Sequence, residues 1–141
     1  MDNNLEFMEA FKPKTNWVKE FEHWIIVIRE DQVTLGDCII SLKRCLGSLG
    51  DMSIEEATEF PKVIQWYEER CVDLFGAVKF NYIAAMMRDN FAHLHAFPRY
   101  NSPISKYELE WLDERWPRVI QFEPRSTSED VLQLIISEMR E

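Results

Sequence analysis

Glycine is scarce in this 141-residue chain, with four in all. No glycine-rich loop of the kind that cradles phosphates through backbone amides is present, and no Gly-x-Ser-x-Gly nucleophile motif occurs. Cysteine is limited to Cys38, Cys45 and Cys71, an odd number without CxxC spacing, which reads as reduced, packed thiols rather than a disulfide framework. Long apolar runs are missing too. The longest candidate, Trp24 to Ile28, stops at Arg29 and Glu30, far short of the roughly 20 residues that cross a bilayer. The N-terminal MDNNLEFMEAF has neither the basic start nor the apolar stretch of a secretory signal, so a cytoplasmic location is expected. Basic residues are outnumbered, 16 Lys and Arg against 25 Asp and Glu, for a net charge of −9. A nucleic-acid polymer needs a basic face and is excluded as a partner, whereas a small anionic ligand needs only a few local donors.

What is there suits one domain over residues 1–141, since 46% hydrophobic residues are enough for a real core. Asn16 to Phe21, His23 to Arg29 and Cys38 to Arg44 have strand character, and a polar interval between the last two suggests antiparallel neighbours. GSLGDMS, from Gly47, is the clearest loop. Ser53 and Glu56 then fit a capping box, and Phe60, Ile64, Tyr67, Cys71 and Leu74 recur at helical spacing. Pro61 predicts a kink or a division near Phe60, and Gly76 a stop. Val78 to Met87 and Phe91 to Phe97 predict a hairpin across the turn Arg88-Asp89-Asn90. Pro98 to Pro124 reads as irregular. A second box at Ser126 and Glu129 predicts a terminal helix with Val131, Leu134, Ile135 and Met139 inward. Strands and helices segregated in this way imply α+β.

Two of the three histidines fall in His93-Leu94-His95. On a strand they project from one face, roughly 6.5–7 Å apart at Cα, with Leu94 on the other. Two imidazoles aimed at one place can bind metal, exchange protons or act on a phosphate. Zinc needs further ligands, and no Cys or His stands at suitable sequence spacing to supply them.

The flanks of this pair, RDNFAHLHAFPRY from Arg88 to Tyr100, resemble the histidine-triad signature. Aligning on Pro98, Arg99 and Tyr100 sets His93 at the middle histidine and His95 at the last, with Phe91 at the first. The likeness continues through KFNYIAAMM and IREDQVTLGDCIISLKR and covers about residues 16–100. It is similar to the bacterial diadenosine-polyphosphate-hydrolase-like subset, and residues 101–141 stand as an extension.

The resemblance implies an antiparallel sheet of about five strands, with a main helix after the first hairpins and a C-terminal helix. It also implies nucleotidyl transfer without metal or cofactor, on a dinucleoside polyphosphate or an adenylated small molecule. His93 attacks the α-phosphorus and His95 donates to the phosphate or leaving oxygen. A backbone carbonyl is expected to orient the nucleophile, which Phe91 supplies as well as histidine does. Further substrate contacts are implied at Asn81, Arg99 and Asp37; an ordinary strand amide, a strand-end tether and a solvated strand end are the respective alternatives. A homodimer is expected. Two other readings stay open, a non-catalytic nucleotide-binding protein on the same fold and a metalloprotein using His93 and His95.

Overall fold

The β-branched runs form the strands of an antiparallel sheet, and the capped amphipathic segments form the helices that cover one side of it. The computed structural model describes residues 11–87 and 91–141. After a short helix α1 (Pro13–Asn16) come β1 (Trp17–Glu20), β2 (Trp24–Ile28) and β3 (Cys38–Leu42). The long helix α2 (Ile54–Phe75), β4 (Lys79–Ile83) and β5 (His93–Arg99) follow. The five strands lie in the order β1-β2-β3-β5-β4, every neighbour antiparallel. β4 stops four residues short of the predicted end, and β5 runs two residues beyond its own, through Pro98. The expected turn at Arg88-Asp89-Asn90 lies outside the described residues.

The sheet has two unlike faces. Trp24, Ile26, Ile28, Cys38, Ile40 and Leu42 point with Ala96 into the main core beneath α2 and the C-terminal helix. The residues between them build smaller clusters on the other side, one of Val27, Ile39, Cys45 and Phe91 and one of Val33, Phe97 and Ile120. Strands β2 and β3 are thus covered on both faces, which is why their sequences run apolar rather than alternating.

Helix α2 begins as its sequence demands. Ser53 Oγ accepts from the Glu56 N–H at 3.1 Å, and Glu56 Oε1 accepts from the Ser53 N–H at 2.7 Å. Arg44 adds a two-pronged contact to the same carboxylate at 2.9 and 3.0 Å. Those hydrogen bonds hold the Glu56 carboxyl at about 2, below its ordinary 4.5. Its contribution to stability is therefore complete above pH 4.5 and lost as pH falls through 2. Glu56→Gln is expected to lower unfolding free energy by about 1 kcal/mol at neutral pH. In urea titrations the gap from wild type should close toward pH 2; a gap independent of pH would contradict this account.

Pro61 does not divide the helix, which continues unbroken to Phe75. The penalty for an interior proline is about 3 kcal/mol, and packing on both sides of it outweighs that penalty. Phe60 lies 4.9 Å from the Trp24 ring, and Val63, Tyr67, Cys71 and Phe75 are buried. The buried stripe therefore runs through Val63 and Phe75, with Ile64 and Leu74 on its flanks. Gly76 closes the helix in the left-handed region, at φ 76°.

The stretch from Pro98 to Pro124 is more ordered than its composition suggests. It holds a second hairpin, β6 (Ile104–Lys106) and β7 (Leu109–Trp111), whose turn residues Tyr107 and Glu108 take positive φ without glycine or asparagine. The C-terminal helix α3 (Glu129–Arg140) is capped by Ser128, whose hydroxyl accepts from the Val131 N–H, and not by Ser126. Ser126 instead bridges to Asp31 as extended chain. The inward residues become Leu132, Ile135, Ile136 and Met139, while Leu134 faces out. This helix and Trp111 sit in the main core, so the extension completes the fold rather than trailing from it. Among the described residues no helix is long and apolar enough to cross a membrane.

Candidate functional site

Side chains repeat every second residue along β5, so His93, His95, Phe97 and Arg99 share the face turned away from the helices. Leu94 points the other way, against the main core. The imidazoles of His93 and His95 meet, with Nε2 to Nε2 at 3.2 Å. On its far side His93 Nδ1 lies 2.6 Å from the carbonyl oxygen of Phe91. That carbonyl is itself fixed, because the next N–H, of Ala92, donates to the Leu46 carbonyl at 2.6 Å.

These contacts assign the protons. A carbonyl only accepts, so His93 Nδ1 carries the hydrogen, and in the neutral ring Nε2 then keeps its lone pair. The short contact between the rings then requires a hydrogen on His95 Nε2, donated to His93. His95 Nδ1 is left as a bare lone pair, and it is buried without a hydrogen-bond partner. Burial, then the Arg29 charge, then His93 push the His95 imidazole down from 6.5 to about 3. His95 is accordingly a neutral donor. Its ring resonances should not titrate between about pH 4 and pH 7, and a midpoint near the ordinary value would refute the assignment. The unfolded chain takes up a proton at 6.5 that the folded chain refuses until about 3, so this group lowers stability as pH falls through that window.

Both histidines line a cavity of about 920 Å³. Phe11 stands 5.5 Å from His93, and Phe122 stands 4.7 Å from His95, ring centre to ring centre. Arg29 is the one cation among the described lining residues, and Glu30, Asp31 and Glu123 are the carboxylates. Among the described residues no group of three or more His, Cys, Asp or Glu is disposed to hold a metal ion.

The structure brings together His93, His95 and, through its carbonyl, Phe91. It sets the other three anticipated residues apart from the cavity. Arg99 is buried in a two-pronged pair with Asp113, at 2.6 and 2.9 Å, and its remaining nitrogen donates to Asn81 at 2.6 Å. Asn81 also accepts from the Ile120 N–H at 3.0 Å, so its amide ties β4 to the chain that carries Phe122. Asp37 is sealed in the β2–β3 connection, accepting from the Thr34 N–H and hydroxyl. Burial raises its carboxyl to about 7 against the lowering effect of Arg29.

Among the cavity residues that escaped the sequence reading are Arg29 and Phe122. Arg29 appears there as the end of an apolar run and of a strand candidate, with no site role. Strand register (Val27 opposite Ile39, Ile39 opposite His95) shows that odd-numbered β2 positions share the histidine face. Phe122 comes from a coil with no motif, and no local signal could have found it.

No protein-family model and no curated protein sequence matches the chain. Solved structures do. A histidine triad protein from Marinobacter aquaeolei superposes with a TM-score of 0.73 at 17% identity, over 94% of this chain and 90% of that one. A hypothetical histidine triad nucleotide-binding protein from Sulfolobus tokodaii gives 0.70 at 16% identity, over 97% and 89%. A zinc-bound histidine triad family protein from Mycobacterium smegmatis gives 0.61 at 18% identity, over 87% and 82%. At these identities the likeness is one of fold. The five-stranded antiparallel sheet with its C-terminal helix is the histidine-triad fold.

Proposed function

We propose that this chain is a nucleotidyl-transferring phosphohydrolase that acts at an α-phosphate through a covalent nucleotidyl-histidine. The observation that carries the reading is the relay from the Phe91 carbonyl through His93 to His95 at the cavity wall. An incoming phosphate oxygen takes over the His95 Nε2 hydrogen, which frees the lone pair of His93 Nε2. That nitrogen forms a bond to phosphorus as the bond from phosphorus to the leaving group breaks. The leaving group departs with that bond's electron pair and takes its proton from solvent. Water then adds at phosphorus as the N–P bond breaks, its proton passes to solvent, and a nucleoside monophosphate leaves with the electron pair returned to His93 Nε2. His95 stabilises the charge that builds on the phosphoryl or leaving oxygen.

The lining narrows the substrate. Among the described lining residues one cation stands with three carboxylates, which suits a single phosphoryl group with a neutral or cationic leaving group better than a polyphosphate chain. Adenosine 5′-phosphoramidate should therefore release AMP faster than diadenosine tetraphosphate does, and both reactions should proceed in chelator. Absence of AMP from either substrate would sink the enzymatic reading. Loss of turnover on chelation would favour the metalloprotein instead.

Binding without turnover is the second reading. It is favoured by the 2% exposure of His93, which a substrate must relieve before attack, and by Phe91 at the first motif position. The proposal extends to a homodimer, supported by the place of β4 at the end of the sheet with no strand paired outside it among the described residues, and a monomeric mass in solution would remove that part.

A further inference from the structure

We propose that Arg29 is the phosphate anchor of the cavity, an arginine aimed at a single phosphoryl group and held in position by the rings of Phe97 and Phe122. The inference rests on the nucleotide reading above and adds the residue that recognises the anion.

Arg29 follows the last residue of β2 and lines the cavity with His93 and His95. Its side chain is 14% exposed, yet its charge is poorly matched. The nearest carboxylate, of Asp37, is 3.7 Å away, beyond hydrogen-bond reach. Nη1 donates to the Asp31 carbonyl at 3.1 Å, the one hydrogen bond that the guanidinium makes among the described residues. What holds the group is aromatic. Its central carbon sits 5.0 Å from the Phe97 ring centre and 5.5 Å from that of Phe122. Contact with aromatic rings restrains a guanidinium while leaving its N–H edges open, and two parallel N–H groups match two oxygens of a phosphate.

Arg99 provides the internal contrast. All of its nitrogens are engaged, on Asp113 and Asn81, and it lies away from the cavity. An arginine whose role was to brace the fold would resemble that one. Arg29 has unused donors, an ion-pair partner too distant to neutralise it fully, and a place beside the imidazoles that the reaction uses. A phosphate seated there completes its hydrogen bonds and its charge together. The same positive charge helps to keep His95 from taking up a second proton, and so preserves the neutral donor.

The test compares AMP with adenosine by calorimetry, on wild type, Arg29→Lys and Arg29→Met. Adenosine shares the base and ribose but carries no phosphate. Loss of two charge-assisted hydrogen bonds predicts that Arg29→Met weakens AMP binding by roughly 10- to 100-fold and leaves adenosine within about twofold. Arg29→Lys should fall between, since lysine keeps the charge but not the fork. If Arg29→Met does not fold, Arg29→Lys decides, and an unchanged AMP affinity in it overturns the proposal. So does an equal loss of AMP and adenosine, which marks a bracing role, or a wild type that binds AMP no more tightly than adenosine. Failure of the enzymatic reading looks different: AMP binding that depends on Arg29 persists while no substrate turns over.

Discussion

His93→Ala is expected to lower AMP release from adenosine 5′-phosphoramidate by at least about 1000-fold, with the fold intact. The size follows from the role. If His93 Nε2 forms the bond to phosphorus, alanine removes the reacting atom and the two-step route with it, and only uncatalysed attack by water remains. His95→Ala removes one stabilising donor and should cost about 100- to 1000-fold, the range for losing a single preorganised hydrogen bond to developing charge. His95→Ala can also let the nucleotidyl-His93 adduct accumulate, detectable as a mass increase of one nucleotidyl group. Phe91→His tests the departure from the three-histidine pattern. The main-chain oxygen of residue 91 does the orienting, so that variant should stay within about tenfold of wild type. If His93→Ala kept a tenth of wild-type activity, covalent catalysis at this residue would be wrong.

The second large effect concerns stability. Asp113→Ala is expected to destabilise the protein by about 3–5 kcal/mol, since it leaves the Arg99 guanidinium buried without its counter-ion. Arg99 and Asp113 side chains are 2% and 1% exposed, so water cannot replace the lost partner. Asp113 also accepts from the Tyr100 N–H at 3.1 Å, and that backbone donor would be orphaned as well. The double variant Arg99→Met with Asp113→Leu should cost less than Asp113→Ala alone, because the desolvation penalty leaves with the charges. Urea denaturation of the two variants measures this directly. A loss below about 1 kcal/mol for Asp113→Ala would show that the pair is hydrated or dispensable.

Local order was legible wherever it depends on neighbours in the chain. The Ser53–Glu56 box, the Gly76 stop and the strand character of Trp24 to Ile28 and Cys38 to Leu42 are short-range matters of capping, backbone freedom and β-branching. The common face of His93 and His95 follows from the two-residue period of a strand. Where long-range packing competed with a local signal, packing prevailed. Pro61 stays inside α2 because Phe60 and Val63 dock on either side of it. Ser126 yields the cap to Ser128 because its backbone is committed to Asp31. The β6–β7 hairpin turns on Tyr107 and Glu108, whose side chains do not announce a turn.

By itself the chain's order of residues determined the class of fold and the common face of the two imidazoles, which stand two positions apart on one strand, while the orienting carbonyl of residue 91 was implied by the family resemblance. Only the tertiary structure decided which cation faces them. Arg29 and Arg99 look alike in sequence, and Arg99, next to the motif, appears the nearer to the chemistry. Strand pairing reverses the choice: β3 lies between β2 and β5 and carries Arg29 to the histidine face, while a carboxylate 14 residues downstream claims Arg99. Charge acts through space, and the chain's path through space is set by pairing that no local pattern encodes.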